Sequence, residues 1–223
     1  MKFYLSSYKI GNEEFVEKLK KLVSLNKKVA YIPNALDFSK DLKERQKSEK
    51  DDIAQLKNIG FIPKRIDLKK YFDQKEKLET EIRNFGLIWV RGGNVFVLNQ
   101  AMRLSGFDKI LKKLIKEKSK IVYGGYSAGI CVLGKTLKYL DLVDDAKVFP
   151  YRQIKRNSWR GLGIIDFTII PHYQSNHPET KMVEKVVKKY KKSILPFKTL
   201  KDGQVVILDS DDLTPDRCSK FLN

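Results

Sequence analysis

The chain has 223 residues, 42% hydrophobic and 32% charged, with 45 lysines and arginines against 27 aspartates and glutamates for a net charge of +18. That length fits one domain, residues 1–223, with a sizeable apolar core. Two cysteines, Cys131 and Cys218, are too few for a disulfide framework or a Cys-rich zinc site. The composition excludes a disordered chain, a secreted Cys scaffold and a collagen-like or coiled-coil fibre.

In chain order, Phe3–Ser7 is a short apolar strand, followed by helical spacing from Phe15 to Val23. Lys28–Pro33 reads as a second strand, and a charged helix fills Lys40–Asn58, ending near Gly60. Phe61–Leu68 resembles a strand that includes Pro63, and Lys75–Asn84 a helix. Leu87-Ile88-Trp89-Val90 is strongly β-like and stops at Arg91-Gly92-Gly93-Asn94. Val95–Arg103 and Asp108–Lys118 carry helical periodicity, and Ile121–Tyr123 is a buried strand ending at Gly124-Gly125. After Gly134 the pattern loosens into an irregular insertion, Lys135–Gly163, before the apolar run Ile164–Pro171. Met182–Tyr190 is helical and Gln204–Leu208 a strand. Strands separated by helices at this spacing predict an α/β domain with a largely parallel sheet flanked by helices. Its working loops lie at the strand C-terminal ends.

The basic residues are mostly lysines, spread through Glu17–Lys28, Lys109–Lys120 and Lys181–Lys192, where they alternate with Leu, Ile or Val at helical spacing. That is the wet face of amphipathic helices, and Arg-rich tracts are absent, so no specific nucleic-acid partner is expected. No apolar run approaches the ~18 residues of a membrane span. Met1–Tyr8 carries no signal-peptide core. A cytoplasmic protein that does not engage membranes is the expectation. No P-loop, Rossmann fingerprint or metal-ligand cluster is present, so neither cofactor nor metal is expected.

Gly125-x-Ser127-x-Gly129 lies directly after a buried strand and before an apolar, helix-like segment. This is the setting of a nucleophile elbow, in which a strained turn lifts the serine hydroxyl above the sheet. The helix that follows adds an N-terminal dipole, and the Ala128 N–H is placed to hold an oxyanion. The plainer reading is a glycine-rich turn with Ser127 as a helix cap. A serine nucleophile needs a base, and the chain has two histidines, His172 and His177. His172 follows Phe167-Thr168-Ile169-Ile170-Pro171, where a buried strand emerges, and is favoured; His177 lies in a polar turn, Ser175–Thr180. The acid that orients the imidazole stays open among Asp202, Glu179, Glu184 and Asp141, since Asp202-Gly203 by itself reads as an ordinary turn.

Arg91-Gly92-Gly93-Asn94-Val95-Phe96-Val97-Leu98, the elbow, Ile170-Pro171-His172-Tyr173, Glu179-Thr180-Lys181 and Leu200-Lys201-Asp202-Gly203 together resemble the dipeptidase E (alpha-aspartyl dipeptidase) family, which includes cyanophycinase. The resemblance implies a flavodoxin-like, or class I glutamine-amidotransferase-like, α/β fold and a serine nucleophile in a triad. Ser127 would be the nucleophile, His172 the base and then acid, and Asp202 the residue orienting His172. The Gly92-Gly93 turn would supply the second oxyanion N–H beside Ala128. Lys181 would face the substrate where aspartyl-specific members carry Arg, keeping the charge but losing the bidentate fork. Characterised dipeptidases carry Glu at the Asp202 position, and here the stretch from Ser127 to His172 is longer. Cys131, four residues beyond the elbow serine, reads as core. The expectation is a serine peptidase acting on a short peptide substrate, dipeptidase-like and directed to N-terminal Asp-X, with homo-oligomer formation left open. The other readings are a non-catalytic ligand-binding member of the fold and a small-acyl esterase or amidase.

Overall fold

A computed structural model describes residues 1–23 and 25–213, so Cys218 lies outside the described residues. The first half of the chain alternates strand and helix. It runs β1 (Lys2–Ser6), α1 (Glu13–Leu22), β2 (Lys28–Ile32), α2 (Leu42–Asn58), β3 (Ile62–Arg65), α3 (Lys75–Ile82) and β4 (Leu87–Val90). Two consecutive helices, α4 (Val95–Leu104) and α5 (Phe107–Lys116), lead into β5 (Val122–Tyr126) and the one-turn helix α6 (Ala128–Cys131). Then come β6 (Thr168–Ile170), α7 (Thr180–Lys191), β7 (Phe197–Thr199) and β8 (Val205–Asp209).

Six strands form the main sheet in the order β3-β2-β4-β5-β1-β8. All neighbours are parallel except β8, which runs antiparallel along β1. Helices cover both faces. Tyr4, Val29, Tyr31, Leu87 and Trp89 pack with Leu19 of α1 and Leu56 of α2. Phe3, Leu5, Ala30, Ile88 and Val90 pack with α3, α4, α5 and α7. Burial on both faces is why β4 and β5 read as continuous apolar runs rather than alternating ones. Pro63, which cannot donate to a ladder, is accommodated because β3 is an edge strand.

The expected strand over Ile164–Pro171 contracts to β6, and it does not join the main sheet. It pairs in parallel with β7, a three-residue strand with Lys198 at its centre that carries no apolar signal. Within the 135–163 stretch the backbone is irregular apart from a turn of 3-10 helix at Leu140–Leu142 and an isolated bridge between Thr136 and Arg160. No helix among the described residues is long and apolar enough to cross a membrane.

Candidate active site

The site forms at the C-terminal ends of β1, β4 and β5. Ser127 follows β5 with φ 50° and ψ −119°, a strained conformation for a residue with a side chain. The flanking small residues follow from crowding: a Cβ on Gly129 would lie 2.3 Å from the Val90 carbonyl oxygen, and one on Gly92 would lie 2.9 Å from Cβ of Ser127. The Gly92-Gly93 turn therefore abuts the serine directly. Asn94 caps α4, its Oδ1 accepting from the N–H groups of Phe96 and Val97 at 2.9 and 3.0 Å. The helix after the elbow is four residues long, so it carries little of the expected dipole. What remains is the Ala128 N–H at its first position, for which the helix supplies no acceptor.

His172 comes from the end of β6 rather than from a main-sheet strand, and the residue after β1 holds it at the C-terminal end of the sheet. Its N–H donates to Ser7 Oγ at 2.9 Å, and Ser7, directly after β1, places that hydroxyl 2.8 Å from Asp202 Oδ1 and 3.3 Å from the Leu200 carbonyl oxygen. Asp202 Oδ1 meets His172 Nδ1 at 2.7 Å, and the Asp202 N–H donates to Ser175 Oγ at 2.8 Å. The shorter side chain of Asp thus reaches the imidazole because the turn carrying it is tied to both neighbours. Burial pulls the His172 imidazole below its ordinary value; the Asp202 charge opposes this and His177 adds to it.

His177 lies half-buried in the expected turn before α7, with its ring turned onto His172. Its ring stacks on His172 at 3.8 Å between centroids and 8° between planes, and Tyr8 packs edge-on against both rings. Sequence carries no signal for this stack, which depends on two turns meeting in space. His172, His177 and Glu179 could each offer one ligand atom to a metal ion within 4.8 Å of one another. The parallel stack makes the in-plane lone pairs of the two rings run side by side, whereas a bound ion needs them to converge.

Ser127 and His172 line one cavity of about 30 Å³ together with Ala128, Cys131, Asp144 and Glu179. Cys131 is buried, its thiol pushed up by burial and directed at the Ile169 carbonyl oxygen at 3.3 Å, as expected of a core residue. Lys181 is exposed in the first turn of α7 and is not among the cavity-lining residues. Asp144, from the insertion, went unsuspected in the sequence because it sits in an aperiodic run of acidic residues.

A mostly parallel α/β sheet carrying a serine elbow, and a histidine–carboxylate pair on the same cavity, defines the class of α/β proteins built around a nucleophile elbow. The chain belongs to peptidase family S51, whose family model matches residues 5–215. It is 29% identical over 123 residues to an uncharacterized peptidase of Listeria monocytogenes, covering 54% of this chain and 57% of that one. It is 27% identical over 139 residues to an uncharacterized peptidase of Listeria innocua, covering 62% and 63%. The aligned stretch thus spans about three fifths of the length of these curated relatives. Among solved structures, a candidate peptidase E protein from Listeria monocytogenes superposes with a TM-score of 0.66 at 22% identity, covering 93% of this chain and 98% of that one. A peptidase from an acI-B1 Actinobacterium gives 0.63 at 16% identity, covering 93% and 82%. Both share the fold.

Proposed function

We propose that this protein is a serine peptidase that hydrolyses short peptides through an acyl-enzyme. The observation that carries the reading is the 2.7 Å contact of His172 Nδ1 with Asp202, on an imidazole that shares a cavity with Ser127. Asp202 fixes the tautomer that leaves Nε2 unprotonated and stabilises the imidazolium that forms. Ser127 Oγ attacks the peptide carbonyl carbon while His172 Nε2 accepts its proton. The C–N bond then breaks as His172 returns the proton to the departing amine. Water attacks the acyl-enzyme, again losing a proton to His172, and that proton goes back to Ser127 as the acid product leaves. The Ala128 N–H and the Gly92-Gly93 turn are the proposed donors to the oxyanion. Preference for N-terminal Asp-X is the narrower form of this proposal. With Lys181 exposed, its carboxylate recognition rests on a mobile point charge rather than a fork.

A fluorophosphonate probe tests the chemistry. Labelling is expected on Ser127 of the wild type, absent in Ser127→Ala, and suppressed in His172→Ala. A folded wild type that stays unlabelled would instead identify a ligand-binding member of the fold. A dipeptide library varied at the first residue and read by mass spectrometry tests the Asp-X form, which falls if Asp is not preferred. Products from acyl esters alone would favour the esterase reading.

A further inference from the structure

We propose that Ser7 is a positioning residue for the reaction: its hydroxyl fixes the Asp202 carboxylate on His172, and its main chain fixes Ser127 beside them. The proposal rests on the peptidase reading of Ser127. Ser7 is fully buried and is not among the cavity-lining residues, so it acts through its neighbours and not on a substrate.

Topology puts Ser7 where it can do this. In the main sheet β1 lies between β5 and β8, and its last residue, Ser6, pairs with Tyr126 on one side and Val205 on the other. The next residue, Ser7, therefore stands between the elbow and the turn that carries Asp202. Its carbonyl oxygen accepts from the Ser127 N–H at 3.2 Å, and its N–H donates to the Gln204 carbonyl at 3.0 Å. Any residue type could make those two main-chain bonds. The side chain adds the third element, since Oγ accepts from the His172 N–H at 2.9 Å. Ser7 thus bonds to Ser127, to His172 and, through its hydroxyl, to Asp202.

The hydroxyl has one proton and two acceptors within reach, Asp202 Oδ1 at 2.8 Å and the Leu200 carbonyl at 3.3 Å. The Leu200 carbonyl already accepts from the Tyr173 N–H at 3.0 Å, and the carboxylate is the charged and nearer acceptor. The proton therefore goes to Asp202. It arrives on Oδ1, the same oxygen that His172 Nδ1 meets at 2.7 Å. Two donors converging on one oxygen fix where it lies, while the Asp202 N–H is tied to Ser175 Oγ at 2.8 Å. The hydroxyl also draws charge from Oδ1 and so tempers its hold on the imidazolium that forms during the reaction. A residue needed only to satisfy the His172 N–H would have to accept a bond, not donate one.

Two readouts test this, one of them independent of any reaction. The chain has two histidines, so proton NMR of their ring C–H signals gives two titrations, which His177→Ala assigns. The His172 ring faces Asp202, His177 and Tyr8, and its cavity also carries Asp144 and Glu179. Ser7→Ala keeps all of these groups. With one donor fewer on Oδ1, the carboxylate holds the imidazolium more tightly, so the His172 midpoint should rise. The second readout is the rate of fluorophosphonate labelling of Ser127 well above that midpoint, where His172 is neutral in both proteins and alignment alone differs. Ser7→Ala should label about tenfold more slowly, the scale of a hydrogen bond to a charged group. Combined with Asp202→Ala it should lose less than the product of the two single losses, because the hydroxyl acts through that carboxylate. Ser7→Cys, close in volume but a weak donor, should move both readouts the same way and serves where the alanine variant does not fold. An unmoved or lowered His172 midpoint overturns the proposal. So does labelling at the wild-type rate, or losses that multiply with Asp202→Ala. If the wild type takes no label, the peptidase reading falls, while the His172 midpoint still decides what Ser7 does to the pair.

Discussion

His172 illustrates how much one side chain's surroundings decide. A general base must be neutral to accept the serine proton, and burial together with the stacked His177 lowers the pH at which His172 becomes charged. The sign follows: a lowered value keeps the base available further into acid, so the acid limb of kcat/KM attributable to His172 should lie below the ordinary histidine value of about 6.5. Replacing His177 by Ala removes both its electrostatic opposition to charge on His172 and the ring that covers it. Both changes favour the imidazolium, so the limb should move to higher pH. His177→Phe keeps the stack and removes the charge, so it should move the limb less. A pH–rate profile that is unmoved or shifted to lower pH in His177→Ala would count against this role. Ser127 and His172 were legible in the sequence because a spaced motif and a scarcity of histidines single them out. Ser7, Asp144 and the stacking of His177 on His172 were not, because each depends on where separate loops meet.

At the scale of elements, α4 explains how an irregular insertion is held beside the cavity. Its periodicity was legible, but its burial all round was not, because polar residues share the inward faces. Asn99 and Gln100 are buried and turned to the insertion. Asn99 Nδ2 donates to the Arg160 carbonyl at 3.1 Å, and Gln100 Nε2 donates to the Val148 carbonyl at 3.0 Å and to Asn157 Oδ1 at 2.7 Å. Asp144 itself caps the Val95 N–H, and Asn94 Nδ2 reaches the Asp145 carbonyl at 2.9 Å. These bonds replace the ladder that a strand or helix would have given the segment. Gln100→Ala leaves the Val148 carbonyl and Asn157 without that partner and should cost about 1–3 kcal/mol, the range for unmade buried hydrogen bonds. Urea unfolding should show the lowered midpoint. Limited trypsin digestion should show faster cleavage at Lys147, Arg152, Lys155 or Arg156, since local opening exposes those sites. Unchanged digestion would mean that packing, not α4, holds the insertion. Other elements were legible by length. The β6–β7 pair was hidden because three-residue strands carry too little pattern, and an apolar run does not reveal which sheet it joins.

For the molecule as a whole, the lysine excess does lie on outer helix faces, but the scarcer acids have a different distribution. The charged pattern of α2 suggests a solvated helix, yet its Glu49 and Asp52 are buried. Glu49 accepts from Arg45 Nε at 2.9 Å and Arg65 Nε at 2.7 Å. Asp52, 3% exposed, accepts from the Tyr31 hydroxyl at 2.9 Å, the Tyr126 hydroxyl at 2.8 Å and Lys9 Nζ at 3.3 Å, with Arg91 Nε 3.4 Å away. One carboxylate on a helix thus links β2, β5 and the segments after β1 and β4, on the opposite face from the cavity. Arg91 adjoins the Gly92-Gly93 turn, and its Nε and Nη1 are buried without a hydrogen-bond partner, so the Asp52 charge is what offsets its desolvation. Removing one partner of such a pair leaves the other charge uncompensated, a loss of about 3–5 kcal/mol. Asp52→Ala should therefore lower Tm by roughly 10 °C, at the ~2–4 °C per kcal/mol typical of a protein of this size. Replacing both members, Asp52→Leu with Arg91→Met, should recover much of that loss, because no buried charge then stands alone. Thermal melts of the single and double variants decide it. A double variant no more stable than Asp52→Ala would mean that the tyrosine hydroxyls, not the guanidinium, are what Asp52 holds in place.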